Sequence, residues 1–204
     1  MRGRRQFWIA ALAVLGFAAV TLAFRLGALA RLDLAAAQGV GRLRTPSGVA
    51  IASALSDLAT PLVVSAAIAL ALLLRRRRAD APPLIAAPLG AFLSSELLKL
   101  LIHRPRPAVA AVALPHGFAF PSGHATAAAA TYLTIALVLS HGRPAGRRAA
   151  WLALATGLAI AVAASRVYLG VHYLSDVLAG LAWGTAWALG ATWRGTGAVS
   201  GATG

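Results

Sequence analysis

Three short polar clusters interrupt a strongly apolar sequence, and each holds residue types suited to phosphate chemistry. The first is Lys99-x6-Arg106-Pro107, the second Pro121-Ser122-Gly123-His124, and the third Ser165-Arg166-x5-His172-x3-Asp176. They contain the only lysine of the chain, two of its five histidines and one of its five acidic residues. A charged group at membrane depth costs about 2.5–3.5 kcal/mol on insertion scales, so charges kept beside long apolar runs point to function. Together the clusters offer cations to hold a phosphoryl group, a helix start to receive it and an imidazole to attack it.

In the first cluster, Lys99, His103 and Arg106 are spaced to share one face if the helix continues through them. Arginine presents a planar fork to two phosphate oxygens, whereas lysine presents a compact charge. In the second, Ser122 and Gly123 open a helix, whose free N–H groups and partial positive charge form an anion site. His124 in that first turn is placed to give a proton to a leaving oxygen. In the third, His172 and Asp176 are neighbours on a helix that starts early, and Gly170 provides the turn before it. A carboxylate on one imidazole nitrogen fixes the tautomer and frees the other nitrogen as a nucleophile toward phosphorus. Arg166 adds a third cation.

Each cluster also has a bland reading when taken alone. Lys99 snorkels or pairs with Glu96, Ser122 is an ordinary helix cap beside a surface histidine, and Asp176 caps a helix. A two-histidine, one-carboxylate metal site from His124, His172 and Asp176 is a further alternative. Three nearby cations favour an anion over a dication, so no metal and no cofactor is expected. His103, His116 and His141 receive no chemical role.

These clusters need an apolar frame to position them. The 204 residues have a mean hydropathy of +0.76, with 59% hydrophobic and only 12% charged residues, the composition of an integral membrane protein. Absence of cysteine excludes disulfides and thiolate metal sites. The formal net charge of +14 sits in arginines next to apolar runs, such as Arg75-Arg76-Arg77-Arg78. That pattern orients membrane helices and attracts anionic headgroups; no nucleic acid partner is inferred.

Apolar runs predict six spans, at about 7–24, 57–74, 83–102, 123–140, 150–166 and 175–193. The expected fold is all-α: a polytopic membrane bundle of six helices over 1–194, with a disordered Gly-rich tail at 195–204. The first run is read as a retained helix rather than a signal peptide ending near Ala28-Leu29-Ala30. Asp57 is expected to cap the second span, and residues 25–47 to form an amphipathic segment at the interface. Pro105, Pro107, Pro115 and Pro121 mark a loop over 103–121. Gly180-x3-Gly184 is expected to pack inside the bundle.

Six spans place both termini with the 75–78 run, Arg143, Arg147, Arg148 and Arg194, hence in the cytoplasm, and all three polar clusters outside. Trp8, Trp151 and Trp193 then form an inner aromatic belt. This predicts a multi-pass protein of a bacterial plasma membrane with an extracytoplasmic site.

The clusters together resemble the signature of the type-2 phosphatidic acid phosphatase superfamily, K-x6-RP, PSGH and SR-x5-H-x3-D, over residues 99–176. Arg104-Pro105 repeats the Arg-Pro pair, but six intervening residues select Arg106. The resemblance implies a metal-independent phosphatase in which His172 forms a phosphohistidine, Asp176 orients His172, and His124 acts as general acid and base. It implies that Lys99, Arg106, Ser122, the Gly123 N–H and Arg166 bind the phosphoryl oxygens. The expected substrate is a lipid phosphate taken from among membrane lipids, with undecaprenyl diphosphate favoured over phosphatidylglycerol phosphate and phosphatidic acid. A phosphotransferase of the same superfamily and a non-enzymatic lipid or anion transporter are the rivals.

Overall fold

The computed structural model describes residues 2–75, 78–108, 112 and 117–193. The expectations for Arg76, Arg77, Pro115, His116, Arg194 and the tail 195–204 lie outside the described residues. Within them the chain is all-helical: α1 (Arg2–Arg25), α2 (Ala30–Arg42), α3 (Pro46–Asp57), α4 (Pro61–Arg75), α5 (Ala81–Ile102), α6 (Gly123–Leu139), α7 (Ala145–Tyr168) and α8 (Leu174–Ala191). A 3₁₀ turn, Arg78–Asp80, precedes α5.

By length and apolarity α1, α5 and α7 qualify as membrane spans, and α3 with α4 adds a fourth if that pair, bent by 50°, is one span. Of the remaining three, α6 and α8 form the middle of the bundle. They pack most extensively on each other, and α1, α5 and α7 surround them. A helix shielded from lipid needs small residues for close approach more than it needs apolar bulk. Accordingly α6 buries Ala125, Ala128, Ala129 and Ala130, while α1 exposes Leu12, Leu15 and Leu22. A Cβ on Gly184 would stand 2.3 Å from the Thr126 carbonyl oxygen, and one on Gly180 2.7 Å from that of Ser122. The Gly-x3-Gly spacing thus serves packing between α8 and α6.

One local expectation is corrected. Asp57 caps no span; it ends α3, and α4 starts at Pro61. Proline lacks an N–H and restrains the residue before it, so Thr60-Pro61 divides the apolar run into two helices. Thr45 caps α3 instead, its hydroxyl accepting the Gly48 N–H at 3.0 Å. The helix α5 ends with the expected span, before the loop over 103–121. It stops at Ile102, where His103 takes a left-handed φ of 53° and donates its N–H to the Lys99 carbonyl at 3.0 Å. Pro105 and Pro107 then keep the chain extended, so Arg106 reaches its position from a loop. The 25–47 region contains the helix α2, which packs against α7 and α8 and turns Asp33 and Ala37 inward.

The C-terminal ends of α5 and α7 and the N-terminal ends of α6 and α8 meet at one end of the bundle. The Ser122 N–H, at the start of α6, donates to the Asp176 carbonyl in α8 at 3.0 Å. A cavity lined by Arg75, Arg143, Arg147 and Trp151 lies at the other end, where α4 finishes and α6 turns into α7.

Candidate active site

At the first of these ends the three clusters converge. His172 lies in the turn between α7 and α8 and is only 2% exposed. Its Nδ1 is 3.4 Å from Asp176 Oδ2, and its Nε2 is 3.2 Å from Arg106 Nη1. A guanidinium nitrogen only donates, so Nε2 is the acceptor and the ring proton sits on Nδ1, facing the carboxylate. Burial foremost, followed by the charges of Arg106, Arg166 and Lys99, holds the His172 pKa well below its ordinary 6.5. The ring is therefore neutral at physiological pH, with its free lone pair directed at the cations.

Each cation is held by a different element. Arg106 is fixed by the Gly117 carbonyl at 3.0 Å and the Val171 carbonyl at 2.9 Å. Lys99, in the last turn of α5, pairs with Glu96, and its Nζ would stand 3.0 Å from a Cβ on Gly123. Glycine at 123 thus lets the ammonium approach the N-terminus of α6. Arg166, near the end of α7, donates from Nη1 to the Ser56 hydroxyl of α3. It borders a cavity of about 200 Å³ shared with Ser53, Ser56 and Asp57.

Two buried polar atoms mark where a ligand is wanted. Ser122 is fully buried at the N-cap of α6, yet its hydroxyl caps nothing and has no partner among the described residues. The Arg166 Nε is likewise buried and unpartnered among them. An unmet buried polar group costs about 1–3 kcal/mol, and an anion at the helix start would accept from the Ser122 hydroxyl. His124, one residue into α6, lies within electrostatic reach of Arg166, His172, Lys99 and Arg106.

The eight candidate residues, Lys99, Arg106, Ser122, Gly123, His124, Arg166, His172 and Asp176, therefore occupy one end of the bundle. No group of three or more His, Cys, Asp or Glu gathers as metal ligands among the described residues. His103 instead packs edge-on against Phe118, with ring centroids 4.5 Å apart. Sequence reasoning missed the support around the site: Ser56 behind Arg166, and Arg104 with Asp33 behind Asp176. A usable signal existed for Asp33, one of only five acidic residues, in a segment otherwise read as interfacial.

Known proteins match this arrangement. Phosphatidylglycerophosphatase B of Bacillus subtilis is 39% identical over 94 residues, covering 45% of this chain and 46% of that protein. Decaprenylphosphoryl-5-phosphoribose phosphatase of Mycobacterium tuberculosis is 39% identical over 121 residues, covering 56% and 60%. The chain thus spans about half to three fifths of the length of these curated relatives. Over a longer stretch, it superposes on the crystal structure of a transmembrane PAP2 type phosphatidylglycerolphosphate phosphatase from Bacillus subtilis. There the TM-score is 0.80 at 26% identity, covering 88% of this chain and 92% of the other. Aquifex aeolicus LpxE gives a TM-score of 0.65 at 26% identity, covering 78% and 94%. The model of the PAP2 superfamily matches residues 81–198, the stretch that carries all three clusters, and the chain belongs to that superfamily.

Proposed function

We propose that the chain is an integral-membrane phosphatase that releases phosphate from a lipid phosphate or polyprenyl diphosphate through a phosphohistidine on His172. The observation that carries this reading is the buried, neutral His172, held by Asp176 on one nitrogen and facing Arg106 with the other. In the first step Nε2 attacks phosphorus, the N–P bond forms and the bond to the leaving oxygen breaks. His124 gives that oxygen a proton; the phosphoryl charge offsets the cations around His124 and lets it carry one. Lys99, Arg106, Arg166, the Ser122 hydroxyl and the α6 N-terminus stabilise the charge that builds on the equatorial oxygens. In the second step His124 takes a proton from water, which attacks the phosphohistidine and restores His172.

The relatives support a lipid substrate, being phosphatases of lipid phosphates by name. An apolar cavity of about 640 Å³ between α2, α3, α7 and α8 flanks Leu174 and Val177, sequence neighbours of His172 and Asp176. It favours a substrate with a hydrocarbon tail. Phosphatidylglycerol phosphate stands beside undecaprenyl diphosphate as the substrate to try first, with phosphatidic acid next. We read six spans over 1–194: α1, the bent pair α3–α4, α5, α6, α7 and α8. The arginine-rich end faces the cytoplasm of a bacterial cell and the site faces outward.

Phosphate release from these three lipids by the purified full-length chain in detergent tests the reading. At least one should turn over, and His172→Ala should lower the rate by about 10⁴-fold or more, the scale on which nucleophile removal acts. Turnover that survives His172→Ala overturns it.

A further inference from the structure

Arg104 stands two residues before Arg106, but its side chain takes a different course. It is 7% exposed, and the centre of its guanidinium lies 4.2 Å from the ring centroids of both Phe24 and Tyr173. Nη1 donates to Asp176 Oδ1 and, at 2.6 Å, to the Ser175 hydroxyl. Nη2 donates to Asp33 Oδ2 at 2.6 Å. Asp33, 2% exposed on α2, also accepts the Ser175 N–H at 2.9 Å and the Ser175 hydroxyl proton at 2.6 Å. Ser175 therefore accepts from the arginine and donates to Asp33, which closes a ring of three groups from three separate parts of the chain, with Asp176 bonded to its arginine.

The geometry divides the labour of Asp176 between its two oxygens. Oδ1 belongs to Arg104, while Oδ2 accepts the Tyr173 N–H at 2.8 Å and meets His172 Nδ1. A carboxylate held on one oxygen only is free to rotate about its Cβ–Cγ bond and would lose the imidazole. Held on both, it fixes ring orientation and tautomer together. A fully buried ion pair adds little net stability compared with an apolar replacement, so three buried charges in one place call for a role beyond folding. Arg104 spends both terminal nitrogens on carboxylates and the Ser175 hydroxyl, so it is not a phosphate ligand.

We propose that Arg104 and Asp33 are positioning residues for His172: the buried chain Asp33–Arg104–Asp176 locks the carboxylate that aims the nucleophilic ring. This rests on the reading of His172 as nucleophile. It gives α2 a task that its sequence does not announce, that of carrying the outermost carboxylate of the chain.

The test measures hydrolysis of dioctanoyl phosphatidic acid by the full chain in detergent, with unfolding followed by tryptophan fluorescence. Arg104→Gln and Asp33→Asn are each made alone and in an Asp176→Asn background, beside His172→Ala. Arg104→Gln should lower kcat about 100-fold and Asp33→Asn about 10-fold, with KM within about twofold of wild type. In the Asp176→Asn background each should cost less than about twofold, because the group it positions is already gone. If Arg104→Gln fails to fold, Asp33→Asn, which keeps the size but turns one acceptor oxygen into a donor, completes the same cycle. Losses that repeat in full in the Asp176→Asn background, or that fall on KM rather than kcat, overturn the positioning role while leaving His172 in place. Turnover that survives His172→Ala overturns the nucleophile assignment and this inference with it.

Discussion

Both ends of the bundle carry arginines, and among the described residues the two ends hold them differently. At the site end Arg106 is fixed by two carbonyls, Arg166 by Ser56, Lys99 by Glu96 and Arg104 by two aspartates. These side chains come from α5, the following loop and α7, and three of them act on one imidazole. At the opposite end Arg143 and Arg147 are exposed, around a cavity of about 350 Å³ bounded by Trp151 and by Arg75, which pairs with Asp80 at 2.8 Å. A cation that orients a membrane protein needs only to be on the correct side. A cation that stabilises a transition state must already stand where the charge will develop. Immobilisation, not the number of charges, separates the two ends.

The sharpest way to break this contrast, short of removing His172, is to remove a fixed cation. Arg106→Gln should lower kcat/KM by about 10²–10³-fold, equivalent to the roughly 2.7–4 kcal/mol lost with one preorganised donor. It should also move the acid limb of the pH profile. After burial, Arg106 is the foremost cause of the depressed His172 pKa. Without it the pKa rises, although burial still holds it down, so the acid limb moves to higher pH than in wild type. An unmoved acid limb in the kcat/KM profile would contradict this placement of Arg106.

Two glycines test packing behind the site against packing within it. On Gly184 a new Cβ would meet the Thr126 carbonyl at 2.3 Å, and backbone cannot step aside, so α6 and α8 must part. Gly184→Ala should cost about 1–3 kcal/mol of stability by overpacking, read as a lowered melting temperature. On Gly123 a Cβ would meet the Lys99 ammonium at 3.0 Å, the far end of a flexible side chain. Gly123→Ala should leave the melting temperature near that of wild type and raise KM by up to about tenfold, since only the ammonium shifts.

What the sequence discloses here is what local chemistry can encode. The helix ends around the site follow from Pro105, Pro107 and Gly170, and they bring residues from 99 to 176 to one end without any knowledge of packing. The prolines after Ile102 end α5 where the sequence places its end, and a loop carries Arg106. The helix α3 is harder to see, because the expected span starts only at 57, and with α3 goes the delivery of Ser56 to Arg166. The Asp33–Arg104 pair joins residues 71 apart in the chain, and no local spacing announces such a contact. The signature spacing selects Arg106 over Arg104, although both arginines serve this end: one faces the imidazole, the other the carboxylate behind it.

The smallest expected effect belongs to the other end of the bundle. Arg143→Ala and Arg147→Ala, singly or together, remove exposed charges that no described contact ties to His172. Water and counter-ions screen such charges within about 10 Å at 0.1 M salt, and the site lies at the far ends of α6 and α7. Turnover of a lipid phosphate in detergent should therefore stay within about twofold of wild type. On the proposed topology the double variant should differ in the membrane, where fewer arginines at this end weaken the bias that fixes orientation. Accessibility of a single cysteine placed at position 142, compared in intact cells and in detergent, reads that bias directly. A large loss of turnover in detergent would mean that the two ends communicate, and immobilisation alone would no longer distinguish them.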